Sequence, residues 1–462
     1  MVALSIASVI RDQKGGYDFL SGMLAAFAPE KVAEATGVPA KKMKELAQNF
    51  TENSPGLALG GGPSSRNSNL TSLHVAINIL NAVSGNLGKT VFFHDQPAPE
   101  NTSHQNLVQL IEDLKAGKVD LLIVDDSDPL HALPNSTGIK KALKNTFTVS
   151  LASQINDTSS EADLQLPALT DYESWGDAFP RSGVRSIRQP VMAPVSLFEA
   201  KAREDVMLAA AKAVNPESFE GISDYRDFIR KEWQSIQQDT GDRSHFDQFW
   251  VKVLEEGGLF SKPNLKSVSL KDEVGQLKIV ETKISGTGLT LIPTTSLFHG
   301  DGRGARNPWL QEVPDPMSQI VWDSWMEINP DTAKKMGIKD RSVVQLQTSQ
   351  GSIKVTAYYH FGIHREAVAI PIGQGHENSG DVADGFGVNV MNLLPTEMDK
   401  SGSLALVTTR AELNPVEDLS YTVNLDGNAR QLGRNIAAAT TVDELNNSDH
   451  HKSKPHFQPH EL

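Results

Sequence analysis

Four short stretches carry the side chains and bends best suited to chemistry. The first is Gly60-Gly61-Gly62-Pro63, placed between an apolar run, Pro55–Gly60, that reads as a strand and a helix periodic through Leu73, Ile77, Leu80 and Val83. Backbone N–H groups there, with a helix N-terminus behind them, suit a phosphate. A tight structural turn is the plainer explanation of the glycines, because neither GxGxxG nor a Walker lysine is present. The second is Asp125-Asp126-Ser127-Asp128-Pro129, which follows the continuous apolar run ending at Val124. Open α/β sheets place ligands at such carboxyl ends. Its carboxylates suit a hard cation or a sugar or guanidine-like edge. They repel an anionic dinucleotide by about 4 kcal/mol per charge pair at about 4 Å in an effective dielectric of about 20. The plain alternative is a solvated acidic loop in which Asp128 fixes the turn before Pro129.

The third stretch follows Glu161-Ala162-Asp163 and the strand-like LQLP. There Glu173, Trp175, Gly176, Asp177, Arg181, Gly183 and Arg185 describe a glycine-bent polar loop or an ion-paired connector. The fourth runs from Phe298 to Pro316, where Gly300, Gly302, Arg303 and Gly304, then Arg306 and Trp309, describe a flexible basic loop with an aromatic anchor. Arginine pairs bidentately with phosphate or carboxylate. The histidines (His74, His94, His104, His131, His299, His360, His364 and His376) show no metal-ligand spacing, and no GxSxG nucleophile elbow occurs.

Composition narrows the chemistry further. The 462 residues contain no cysteine, which removes disulfides, thiolate nucleophiles and Cys-ligated zinc or iron–sulfur clusters from this chain. A net charge of −14 makes sequence-independent nucleic-acid binding a poor fit. No apolar window is long enough to span a bilayer. The stretch from Met1 to Gln13 reads as an amphipathic helix without a signal-peptide pattern, as if cut from a longer protein. The polar stretch from Asn446 to Leu462, with four histidines and two prolines, reads as a linker.

These sites need elements to hold them. Residues 1–50 read as the helical remainder of an upstream domain, and 51–200 as an α/β domain whose apolar strands alternate with helices. That alternation predicts a parallel sheet with helices on both faces and Val119–Val124 buried on both. Residues 201–286 read as a mostly helical connecting region with Trp233 and Trp250 as packing anchors. Residues 287–412 carry closely spaced β-rich runs and one short helix, Asp331–Met336, which suggests a compact barrel. Residues 413–462 read as a polar extension and linker.

The order of these pieces over about 400 residues resembles the molybdopterin-dinucleotide oxidoreductases, the dimethyl-sulfoxide-reductase-like family. The resemblance runs from the Gly60 turn and Gly85-Asn86-Leu87-Gly88 through Asp128-Pro129, Leu166-Pro167, Glu173 and Gly176. It continues into Ile328-Asn329-Pro330-Asp331-Thr332-Ala333 and Met336-Gly337-Ile338. It implies an α/β fold with Rossmann-like parallel-sheet domains followed by a C-terminal six-stranded double-psi β-barrel. The segment Gly300–Asp323 and Gly385-Phe386-Gly387-Val388-Asn389 are similar to the alternative complex III subfamily. The cofactor-binding positions it implies, vestigial or intact, are Gly60, Gly61, Gly62, Asp126, Asp128, Gly300, Gly302, Arg303 and Asn389, with no catalytic or metal-ligating residue. Asp126 stands where the family commonly has glycine.

The resemblance further implies a respiratory, membrane-associated quinol:electron-acceptor oxidoreductase complex in which this module is a cofactor-free scaffold. Its partners would be a quinol-oxidising membrane subunit, a multihaem cytochrome c and a ferredoxin-like domain. That assembly would sit on the periplasmic face of the inner membrane, with 4Fe-4S clusters only in flanking or partner segments. The alternative is part of a molybdenum or tungsten enzyme holding molybdopterin guanine dinucleotide and acting on a small oxyanion or sulfur compound.

Overall fold

The computed structural model describes residues 1–94, 103–276, 284–417 and 422–425; the polar stretch from Asn446 onward lies outside them. The helix Val2–Lys14 presents Leu4, Ala7 and Ile10 on one face, the spacing an amphipathic helix requires. They pack on Ala76, Ile79, Leu80 and Val83 of the helix Leu70–Ser84, with Leu20, Leu24 and Ala47 completing the cluster. The second helix stops at Gly85, whose φ of 79° is a left-handed cap that glycine adopts without strain.

The run Pro55–Gly60, expected as a strand, forms none. Ala58 donates its N–H to the side chain of Asn81 and accepts from it through its carbonyl, both at 2.9 Å, and Gly56 donates to Asn86. A side-chain amide offers the donor–acceptor pair that a neighbouring strand would otherwise supply.

The parallel sheet has three strands in the order Leu121–Val124, Phe147–Ser150, Leu164–Gln165, with Leu121 opposite Phe147 and Val149 opposite Leu164. Successive side chains point to opposite faces. Leu122 joins Ile111, Leu114, Ile139 and Ala142 in a core under the helices His104–Lys115 and Ile139–Ala142. Leu121 and Ile123, on the other face, are 54% and 40% exposed. The expectation of a strand buried on both faces is therefore corrected: this is an edge strand with helices packed on one side. A continuous apolar run does not distinguish these cases.

The stretch read as a bent polar connector is a hairpin, Gly176–Arg181 paired antiparallel with Val184–Arg188, which in turn pairs with Gly258–Phe260. It packs on the helices Tyr225–Thr240 and Phe246–Glu256, where Trp233 and Trp250 are buried as expected.

The C-terminal region closes into a six-stranded mixed barrel, in the order Trp325–Ile328, Ser352–Tyr359, Val343–Gln347, Arg410–Glu417, Leu289–Thr295, Ala367–Ile372. The pairs Trp325–Ile328 with Ser352–Tyr359 and Leu289–Thr295 with Ala367–Ile372 are parallel, and the others antiparallel. Alternate residues (Leu291, Met326, Ile328, Val344, Leu346, Val368 and Ile370) fill the interior. Asn329 caps the short helix Pro330–Lys335 by accepting the Asp331 N–H at 3.0 Å. Among the described residues, no helix is long and apolar enough to cross a membrane.

Candidate functional site

The carboxyl edge of the parallel sheet faces the barrel across a cleft of about 900 Å3. Arg66, Asp126, Ser153 and Gln154 line one wall, and the loop Leu297–Asp301 with Arg303, Gly304 and Arg306 lines the other. Ile372, Met391, Leu404 and Leu406 add apolar surface.

Of the cofactor-binding positions that the resemblance implies, Asp126, Gly300 and Arg303 reach this cleft, as do Gly304 and Arg306 of the basic loop. Asp126 has a φ of 42°, a left-handed backbone conformation that favours glycine. Its Oδ1 accepts from the Ser153 N–H at 3.1 Å and from Ser153 Oγ at 3.2 Å, and its Oδ2 lies 3.6 Å from Arg203. The Arg203 guanidinium is shared with Asp125, 3.4 Å away, so it offsets only part of the repulsion expected from these two carboxylates toward an anionic ligand. Arg303 closes its fork on Asp301 with two 2.9 Å hydrogen bonds, which hold the Asp301 carboxyl below its usual range. Both side chains are at least half exposed, so opening that pair costs about 0–1 kcal/mol.

Arg306 Nε and His299 Nε2 are buried and carry no hydrogen-bond partner. Burial pushes the His299 imidazole below its ordinary value. Trp309, expected as an aromatic anchor, is 81% exposed and packs nothing in place.

The three glycines are not part of the cleft lining. Gly60 lies against Ile77, where an added Cβ would come within 2.8 Å. Gly61 has a φ of 93°. The Gly62 N–H is already donated to Ser65 Oγ at 2.7 Å. These glycines serve a turn and a close helix contact. Arg66, four residues further on, reaches the cleft instead.

Behind the cleft lies a buried polar cluster that holds Asp128, Gly302 and Asn389. Asp128 Oδ1 accepts from the Thr158 N–H at 3.0 Å and from Thr158 Oγ1 at 2.6 Å, while its Oδ2 has no partner. Burial raises its pKa, partly offset by the Thr158 bonds. His131 and His376 stack with ring centroids 3.6 Å apart and planes within 12°. Asn389 donates to the His131 carbonyl at 2.9 Å. Asp157 accepts from His376 Nδ1 at 2.7 Å, the N–H groups of Glu377 and Asn378 at 2.9 and 2.7 Å, and Ser379 Oγ at 3.1 Å. Burial by itself would raise the Asp157 pKa, but these bonds prevail and hold it well below the usual carboxylate range.

His131, Asp157 and His376 are close enough to be weighed as metal ligands. Imidazole lone pairs lie in the ring plane, so two stacked parallel rings cannot both aim at one ion. As built, the cluster is a hydrogen-bond network.

Burial, then the charge on His376, pushes the His131 pKa down to about 3. The unfolded chain therefore binds more protons than the folded one below about pH 6.5, and stability falls as pH drops from there toward about 3. The raised Asp128 works in the opposite sense above the ordinary carboxylate value. The expected outcome is that His131→Phe, which keeps a stacked ring without a titrating nitrogen, flattens this acid limb in denaturant midpoints measured across pH. An unchanged limb would remove His131 as its source.

Sequence reasoning missed Asp157, His376, His131 and Arg66 as site residues. His131 and Asp157 come from one region and His376 from another more than two hundred residues away, so local spacing carries no trace of the cluster. The one available signal was His376-Glu377-Asn378-Ser379 between glycines, a segment rich in turn-forming residues.

Comparison with known proteins places this geometry. Residues 303–417 match the family model of the molydopterin dinucleotide binding domain. The chain is 24% identical over 410 residues to the "Menaquinone reductase, molybdopterin-binding-like subunit" of Nitratidesulfovibrio vulgaris, covering 85% of this chain and 57% of that protein. It is 23% identical over 280 residues to the assimilatory nitrate reductase catalytic subunit of Bacillus subtilis, covering 57% of this chain and 39% of that one. The chain thus spans little more than half of the first relative and less of the second. Acetylene hydratase from Pelobacter acetylenicus shares the fold, with a TM-score of 0.66 and 16% identity over 90% of this chain and 70% of that chain. Residues 303–417 thus match a molydopterin dinucleotide binding domain within the barrel region, and the parallel-sheet unit, cleft and closed barrel together share the fold of acetylene hydratase.

Proposed function

We propose that this module is a scaffold in a membrane-associated, quinone-linked oxidoreductase complex of the alternative complex III kind. The observation that carries the reading is its similarity, over 85% of its length, to a subunit described as molybdopterin-binding-like in a menaquinone reductase. The absence of cysteine from all 462 residues supports it, since no thiolate of this chain is there to hold a metal or cluster. In this role the chain arranges a quinol-oxidising membrane subunit, a multihaem cytochrome c and a ferredoxin-like iron–sulfur domain on the outer face of the bacterial inner membrane.

A second reading, a module that holds molybdopterin guanine dinucleotide for a molybdenum or tungsten enzyme, is favoured by one feature of the cleft. The unpartnered Arg306 Nε and His299 Nε2 fit a phosphate-bearing ligand, with Arg66 and Ser153 on the facing wall of the same cleft. Such a cofactor supplies the redox chemistry when bound, and this chain's residues would bind and orient it.

Affinity purification of the tagged full chain from native membranes tests the scaffold reading. Co-elution of the quinol-oxidising subunit and haem-staining cytochrome c in fixed ratio is expected. Recovery of the chain free of both, in membrane and soluble fractions alike, contradicts it.

A further inference from the structure

The buried histidine stack is not needed by either functional reading, and its hydrogen bonds fix a protonation state. His376 Nδ1 lies 2.7 Å from Asp157 Oδ2, and its Nε2 lies 3.1 Å from the carbonyl oxygen of Gly302. A carboxylate and a backbone carbonyl only accept. A neutral imidazole has one bare nitrogen, and either tautomer would set its lone pair against one of these oxygens. Two acceptors on opposite sides of one ring call for two donors.

We propose that His376 is a buried imidazolium that positions the cleft loop Gly300–Gly304 through the Gly302 carbonyl. The ring side chain is 1% exposed, so the charge needs compensation inside the protein. Asp157 supplies it at hydrogen-bond distance, and Asp128 Oδ2 stands 3.9 Å from the same Nδ1. His131 covers the ring face as a neutral partner. The other charged or titratable groups about the stack are His299, beside the loop, and Asp301 and Arg306, which act on His131 in opposite senses.

The consequence for the cleft follows from Gly302. Its φ of 118° is open to glycine, and an added Cβ would meet His131 at 2.5 Å. The bond to His376 therefore draws the Gly302 carbonyl to the interior side, while Gly300, Asp301, Arg303 and Gly304 line the cleft. Asp157 belongs to the α/β part and Gly302 to the segment between barrel strands, so one cation ties the two walls together.

The test is long-range ¹⁵N–¹H NMR of the full chain labelled at histidine, which reads the protonation of each ring nitrogen. At neutral pH, one buried histidine should show both nitrogens protonated and its stacked neighbour one bare nitrogen. His376→Gln assigns the signal. Should that variant not fold, Ser379→Ala assigns it by shifting only the ring that faces Ser379 Oγ. A bare nitrogen on His376 at neutral pH overturns the proposal. Amide hydrogen exchange supplies the positioning readout: losing one charge-assisted bond should speed exchange in the 300–304 loop of His376→Gln by about tenfold or more. Unchanged exchange there, in a folded variant, overturns the positioning role.

Discussion

Asp157→Ala is expected to lower the unfolding free energy by about 3–5 kcal/mol, the usual cost of stranding one partner of a buried ion pair. The carboxylate accepts from His376, two backbone N–H groups and Ser379 Oγ, and its side chain is only 10% exposed. Alanine leaves all four donors without this acceptor. Asp157→Asn should cost nearly as much, because the amide keeps the shape and loses the charge. Denaturant melts of single and double variants check this. The Asp157→Asn/His376→Gln pair should be less destabilised than the sum of its singles, since removing both charges leaves neither stranded. Strict additivity would show that the two side chains do not interact.

Trp233→Ala should be comparably damaging, at about 3–5 kcal/mol, for a different reason. Trp233 is fully buried, stacked edge-on to Trp250, and donates its indole N–H to Asp177 Oδ2 at 3.1 Å. It joins the helix Tyr225–Thr240 to the hairpin beginning at Gly176. Its loss opens a cavity at the centre of that helical region and removes the hydrogen bond to the Asp177 carboxylate in the same step. Trp233→Phe separates the two: it fills most of the volume, and should cost only about 1–2 kcal/mol from the missing hydrogen bond and residual void. A near-UV circular dichroism melt follows both variants. A Trp233→Ala loss below about 1 kcal/mol would mean that this core can close around the gap.

The parts of this fold that were legible in sequence are those set by local pattern. The helix through Leu73, Ile77, Leu80 and Val83 ends at the glycine its geometry needs, and the β-rich runs from Leu289 close into the barrel that their spacing suggested. The errors arise where tertiary contacts decide. Pro55–Gly60 has an apolar sequence, yet Asn81 and Asn86 occupy the backbone groups a strand partner would need. Leu121 and Ile123 sit in an unbroken apolar run, yet nothing among the described residues covers their face well enough to bury them. The arginine that partly offsets Asp125 and Asp126, Arg203, lies more than seventy residues away in sequence and leaves no local trace. The buried cluster was hidden for the same reason, since its acid and its imidazolium meet only when barrel and sheet come together.

In the proposed scaffold role, this module supports electron transfer in a larger assembly without carrying a redox centre of its own. Molybdenum and tungsten content, with oxidised-pterin fluorescence, should be measured on the protein isolated under conditions that preserve bound cofactor and normalised to chain concentration. Neither metal nor pterin is expected in meaningful proportion to the chain. Near-stoichiometric pterin, with or without metal, would contradict that role and establish the cleft between Arg66 and Arg306 as a working cofactor site.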